Sequence, residues 1–204
     1  MTLRNITCAV TLCLLTLSGQ AVGKTEVPPY KNKSLSIEKR VDDLMGRMTL
    51  REKVLQLQNR GAGRLDEIDR IFNGESYGCT HEMGTTAAEC AAMYKELQQY
   101  MLTKTRLGIP IITSAEGIQG ILQNNCTLFP HALAQGSTFN PALIQRMTEA
   151  AGEEAKVIGI HQILSPVLDI ARELRWGRVE ETFGEDPYLI SEMGIAFING
   201  YQKN

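Results

Sequence analysis

Sixteen residues, RELRWGRVEETFGEDP from Arg172 to Pro187, hold three arginines, five carboxylates and the chain's one tryptophan. Arg178 offers a planar fork of donors that suits paired hydroxyls or a carboxylate. Glu180, Glu181 and Glu185 lie close enough in sequence to hold that fork in place. Trp176, beside Gly177, offers a flat apolar wall next to a backbone with no side chain in the way. Carboxylates, an arginine and an aromatic face suit a neutral polyol such as a sugar. The other reading is a solvated loop whose acid–arginine pairs contribute little energy. Glu116 is the second candidate, because it directly follows a short apolar run ending at Ser114-Ala115.

These groups need elements to position them. Ile109–Ser114 reads as a strand buried on both faces, with Pro110 near its first residue. Gln162–Val167 reads as a second such strand. In a parallel α/β domain, ligands gather at the carboxyl ends of the strands, so Glu116, Asp169 and the arginine-rich loop would share one face. Thr49-Leu50-Arg51-Glu52 and Thr86-Ala87-Ala88-Glu89 match capping boxes and start helices. Asn140-Pro141 and Asp186-Pro187 each pair a cap with a proline at the first helical position.

Apolar stripes extend these helices. They include Ile37, Val41, Leu44, Met45 and Met48, then Val54, Leu55 and Leu57, then Ala92, Leu97, Tyr100 and Met101. Leu143, Ile144, Met147, Ala150, Ala151 and Ala155 form the next stripe, and Leu189, Ile190, Met193, Ala196 and Phe197 the last. Arg64–Gly84 reads mostly as loop, and Thr127–Gly136 as a short apolar piece. The alternation of strand, loop and helix implies parallel strands with crossover helices.

Composition narrows the classes. The chain has 204 residues, is 43% hydrophobic and 22% charged, and carries a net charge of −2. Scattered lysines and arginines argue against nucleic acid or anionic membrane as partner. Ile6–Leu17 is apolar and followed by small residues up to Ala21-Val22-Gly23, the layout of a secretory signal peptide over 1–23. An exported, periplasmic or extracellular protein without a membrane anchor is expected. Residues 24–36, with Pro28-Pro29, form an extended lead-in, and 37–204 form the domain itself. Beyond the leader only Cys79, Cys90 and Cys126 remain, enough for at most one disulfide and in no zinc spacing. His81-Glu82 lacks the second histidine of a zinc-protease helix, and His131 and His161 read as core histidines. Asn32-Lys33-Ser34 and Asn125-Cys126-Thr127 match the glycosylation acceptor triplet. No cofactor or metal is expected.

Four stretches carry a family resemblance: MTLREKVLQL at Met48–Leu57, RLGIPIITSAEGIQG at Arg106–Gly120, TLFPHALAQGSTFNPALIQRM at Thr127–Met147, and SPVLDIARELRWGRVEETFGEDPYLI at Ser165–Ile190. In this order they resemble glycoside hydrolase family 3, which includes β-glucosidases and β-xylosidases. The resemblance runs from about residue 35 to the end. It implies an α/β fold, a partial (β/α)8 TIM-type barrel comprising the N-terminal half. It also implies hydrolysis of terminal β-linked glucose or xylose with retention, on an oligosaccharide or aryl glycoside.

By that resemblance Glu116 stands where the family usually has a sugar-holding aspartate, and Arg178 matches an arginine that contacts the terminal sugar. Gln119, where many members have histidine, Trp176 and Glu181 are candidates for the surrounding shell. Retaining glycosidases need two carboxyl groups ~5–5.5 Å apart, and no carboxylate here matches either. The family's Lys-His pair is absent, and residues 24–204 fall short of the ~250 of a whole barrel. Nucleophile and acid/base are therefore expected downstream of Asn204, with the remaining half needed for activity. A non-catalytic carbohydrate-binding piece and a non-functional truncation are the alternatives.

Overall fold

The computed structural model describes residues 27–81 and 85–203. The expected signal peptide over 1–23 lies outside them. By contacts the chain divides into two compact units, 1–46 and 47–204. In the first, a 3-10 turn at Pro29–Lys31 precedes helix α1 (Ile37–Arg47). Tyr30 N–H donates to Asp43 Oδ2 at 3.1 Å, and Arg40 Nε donates to Tyr30 O at 3.0 Å, so the turn folds back on the helix. Ile37, Val41 and Met45 carry the helical period but are all exposed.

The second unit runs α2 (Leu50–Leu55), α3 (Ile68–Phe72), β1 (Cys79–His81), α4 (Ala87–Lys104), β2 (Ile112–Ala115), α5 (Ala132–Gly136), α6 (Pro141–Ile158), β3 (Gln162–Ile163) and α7 (Pro187–Tyr201). The local start signals work as their chemistry requires. Thr49 and Thr86 each accept the N–H of a glutamate three residues on, and that glutamate accepts the threonine's own N–H. Asn140 Oδ1 and Asp186 Oδ1 accept from Leu143 N at 3.1 Å and Leu189 N at 2.7 Å. Gly159 closes α6 in the left-handed region at φ 90°, where glycine meets no Cβ penalty.

The three strands form one parallel sheet in the order β1-β2-β3, with Thr80 opposite Thr113 and Ala115 opposite Ile163. Helices α4 and α6 make the crossovers, and α7 follows β3. This is the α/β wall of a partial (β/α)8 TIM-type barrel. One core joins the sheet to α4 through Cys90, Met93, Tyr94, Leu97, Met101, Ile111 and Ala115. A second, with Ile144, Phe183, Ile190, Met193 and Phe197, lies between α6, α7 and the segment before α7. Tyr201 packs against both. Helices α6 and α7 approach closely at Gly200, where a Cβ would fall 1.8 Å from Thr148 Oγ1.

Several expectations need correction. The Arg64–Gly84 stretch contains α3 and β1, elements of five and three residues, too short to show a period. The ladder of β2 starts at Ile112, because Pro110 has no N–H and Ile111 instead exchanges hydrogen bonds with the Gln98 amide. Ile112 is 49% exposed, so the strand is not covered on both faces along its whole length. Strand β3 is only two residues long, since Leu164 adds one bond to Ala115 O before Pro166 ends the donors. Thr127–Gly136 contains helix α5. Among the stripe residues, Val54, Leu57, Ala92 and Ala150 are exposed.

Candidate functional site

Glu116 is the first residue past the carboxyl end of β2, and β3 feeds the segment 164–186 from the same end. Because the strands are parallel, both candidate loops leave one edge of the sheet. The first is fixed through its backbone. Gly117 N–H donates to Ser165 Oγ at 3.2 Å, and Gly117 O accepts from Tyr201 Oη at 2.8 Å. A Cβ on Gly117 would meet Ile163 Cγ2 at 2.5 Å, so only glycine fits this approach. Gln119 O accepts from Phe129 N at 2.8 Å, and Gly120, at φ 95°, lies against Thr127 O. The Gln119 side chain has its Oε1 buried with no hydrogen-bond partner among the described residues.

The second loop is anchored at its ends and open in its middle. Ala171 N–H donates to Gly184 O at 3.0 Å, and Phe183 is buried in the second core. Trp176 N–H donates to Glu173 O at 3.1 Å, and its side chain is half-buried. A 3-10 turn at Val179–Glu181 brings Glu181 under Arg178. There Arg178 Nε and Nη2 donate to the two Glu181 oxygens at 2.9 and 2.5 Å. Arg178's side chain remains 58% exposed, against 22% for Glu181.

Electrostatics connects the two loops. The Arg178 guanidinium is held above its ordinary value first by Glu181, with smaller effects from the charges of Asp169 and Glu116. Glu181 is held below the usual carboxylate range first by Arg178, against the opposing effect of burial, with a smaller effect from His131. The charges of Asp169 and Glu116 thus act on Arg178, whose one ion-pair partner among the described residues is Glu181. Glu180 and Glu185 are exposed and do not grip the arginine, so Glu181 alone does what three glutamates were expected to share. Neither Trp176 nor Gln119 is hydrogen-bonded to Arg178 among the described residues.

Other residues matter that their sequence did not announce. Tyr201 supports the Glu116 loop from 84 positions away, a partnership no local pattern encodes. His131 is an exposed residue before α5, near enough to Glu181 to act on its charge, and not a core histidine. His161 is exposed too, with Nδ1 2.6 Å from Thr113 Oγ1. No group of three or more His, Cys, Asp or Glu that could hold a metal ion occurs among the described residues.

The chain is similar to known proteins. Residues 49–204 match the model of the glycosyl hydrolase family 3 N terminal domain. A beta-glucosidase C of Emericella nidulans is 34% identical over 193 residues, 86% of this chain and 31% of the relative. A beta-xylosidase of Formosa agariphila is 42% identical over 113 residues, 52% of this chain and 16% of the relative. A beta-glucosidase of Listeria innocua, solved in complex with glucose, superposes with a TM-score of 0.67 at 31% identity, covering 82% of this chain and 24% of that one. The chain thus spans less than a third of the length of each of these relatives. The ordered motifs, the parallel βα wall and the matched domain together place the chain in glycosyl hydrolase family 3, within its N-terminal domain.

Proposed function

We propose that this chain supplies part of the sugar-binding subsite of a retaining β-glycosidase that releases terminal glucose or xylose from an oligosaccharide or aryl glycoside. The observation that supports this most is the Arg178 fork, oriented by Glu181 on the rim where Glu116 also sits. Two of the five N–H donors of Arg178 are engaged by Glu181, which leaves donors for ring hydroxyls. Glu116 supplies an acceptor from the other loop, and Gln119, its Oε1 buried, belongs to the shell behind it. Trp176 serves as an apolar wall for a sugar face. One relative named a beta-xylosidase and another named a beta-glucosidase support the substrate class.

The covalent chemistry is assigned to none of the carboxylates in this chain. Nucleophile and acid/base belong, on this reading, to the further sequence that the longer relatives carry, and this chain acts together with that remainder. Export follows from the leader-like first 23 residues. No described helix is long and apolar enough to cross a membrane.

Calorimetric titration of the purified chain with glucose and with xylose tests the subsite. Saturable binding that Arg178→Ala abolishes is expected, while unchanged binding in that variant would remove the assignment. Turnover of a nitrophenyl β-glucoside or β-xyloside by the longer polypeptide, lost in the same variant, is the expected extension. Binding without any turnover would favour a non-catalytic carbohydrate-binding role instead.

A further inference from the structure

Away from the sugar rim, two cysteines lie on the two chain segments that cross at the Thr86–Asn124 bridge. Cys90 lies in the first turn of α4, its N–H donating to Thr86 O at 2.9 Å. The residues just before it are tied to the 123–127 segment. Asn124 N–H donates to Thr85 O at 2.8 Å, Ala87 N–H donates to Asn124 O at 3.0 Å, and Thr85 Oγ1 donates to Gln123 Oε1 at 3.1 Å. Cys126 follows two residues later, after Asn125 in the left-handed region at φ 72°. It packs against the core cluster that contains Cys90, which is fully buried. Both are thiols here, as is Cys79, which sits in β1 opposite Ile112.

We propose that Cys90 and Cys126 form an oxidisable pair whose disulfide clamps the 123–127 segment to the amino end of α4. The crossing of Thr86 with Asn124 fixes the two backbones side by side, and Cys126 packs against the same core cluster as Cys90. The clamp bears on the sugar rim from behind. The segment continues into Thr127, whose carbonyl lies against Gly120, and into Phe129, whose N–H holds Gln119 O.

The chemistry balances with a low-molecular-weight disulfide such as oxidised glutathione as oxidant. Cys126, the more accessible thiol, loses its proton and attacks one sulfur of the oxidant. The oxidant's S–S bond breaks, and one glutathione thiolate leaves. Cys90, deprotonated in turn, attacks the Cys126 sulfur of the mixed disulfide, and the second glutathione thiolate leaves. Two protein S–H bonds are lost, one S–S bond is gained, and one oxidant disulfide becomes two thiols. Burial first, then the nearby charge of Glu154 and then Cys90 itself, hold the Cys126 thiol above its ordinary range. The reactive thiolate is therefore scarce at neutral pH, and the reaction is slow and accelerates as pH rises.

The experiment incubates the folded chain with oxidised glutathione, alkylates the remaining thiols after unfolding, and maps the peptides by mass spectrometry. One linked pair, Cys90 with Cys126, is expected, with Cys79 alkylated and Cys8 and Cys13 mapped separately. Oxidation should raise Tm by on the order of 5–10 °C, reversed by dithiothreitol. Cys126→Ser should abolish both the link and the shift, while Cys79→Ser should preserve both. Alkylation of Cys90 and Cys126 after exhaustive oxidation would overturn the proposal. So would glutathione retained on Cys126 without a link, or a link through any other cysteine.

Discussion

Arg106 and Arg178 each grip a glutamate with two nitrogens, yet the two grips differ in what they leave over. Arg106 Nε and Nη2 reach Glu52, 54 residues away, at 2.8 and 2.5 Å, and Nη2 also donates to Arg47 O at 2.9 Å. The Glu52 carboxylate is further used by Thr49 N–H and Thr49 Oγ1 at 2.8 and 2.9 Å. Four donors converge on that carboxylate, and the pair ties the start of α2 to the segment leading into β2. Arg178 reaches only three residues along the chain to Glu181. That grip closes no long loop, and it leaves the fork mostly exposed, within reach of the charges of Asp169 and Glu116. A long-range pair with several converging donors holds a fold together, and a short-range pair with spare donors can hold a ligand.

The largest expected effect follows on the site side. Arg178→Ala should weaken glucose or xylose binding by roughly tenfold or more, with Tm unchanged to within a degree or so. Arg178→Lys should not restore it, because an ammonium cannot reproduce the fork. A large fall in Tm would erase the distinction between the two arginines. Next in size is Tyr201→Phe, which removes the donor to Gly117 O and leaves a carbonyl without its partner. It should cost about 1–2 kcal/mol, or roughly 3–6 °C in Tm, read by scanning calorimetry. An unchanged Tm would mean that the Glu116 loop is held by packing around Gly117 alone. Arg106→Ala comes third, at about 1 kcal/mol or a little less for a partly exposed pair, with sugar binding by the folded protein intact. Loss of binding equal to that of Arg178→Ala would show that the α2 tie acts on the rim as well.

The same contrast governs what could be read in advance. Capping boxes at Thr49 and Thr86 and the Asn140-Pro141 and Asp186-Pro187 starts were legible, since each is chemistry within four consecutive residues. Arg178 and Glu116 were legible as candidates because residue type and position after an apolar run suggested them. Strand β1 was not, because three residues, of which only Thr80 is fully buried, show no period. The length of β3 was misread because the apolar run continues through Val167 while Pro166 ends the ladder. The partners that fix the site were the least visible. Glu181 was a candidate for the surrounding shell, but its grip on Arg178 needs a 3-10 turn that no local pattern announced, and Tyr201 reaches Gly117 only because α7 packs against α6.

Acid titration gives the smallest and most specific test of the structural pair. Glu52 is depressed to about 2, first by its hydrogen bond to Arg106 and further by the Thr49 N–H and hydroxyl, against the opposing effect of burial. An unfolded chain returns it to near the ordinary value of 4.5. Between those values the unfolded state binds more protons than the folded one, so stability must rise with pH across that window. The contribution is fully present above about pH 4.5 and is lost as pH falls through about 2. Solvent screening of a surface pair keeps it under about 1 kcal/mol. Urea unfolding of the wild type and of Glu52→Gln at steps from pH 6 down to 2 should show a steeper acid loss in the wild type. The difference should close toward the acid end, where both side chains are neutral. Parallel curves would mean that Arg106 holds Glu52 no more tightly in the folded chain than water does in the unfolded one, and the contrast with Arg178 would then rest on ligand binding alone.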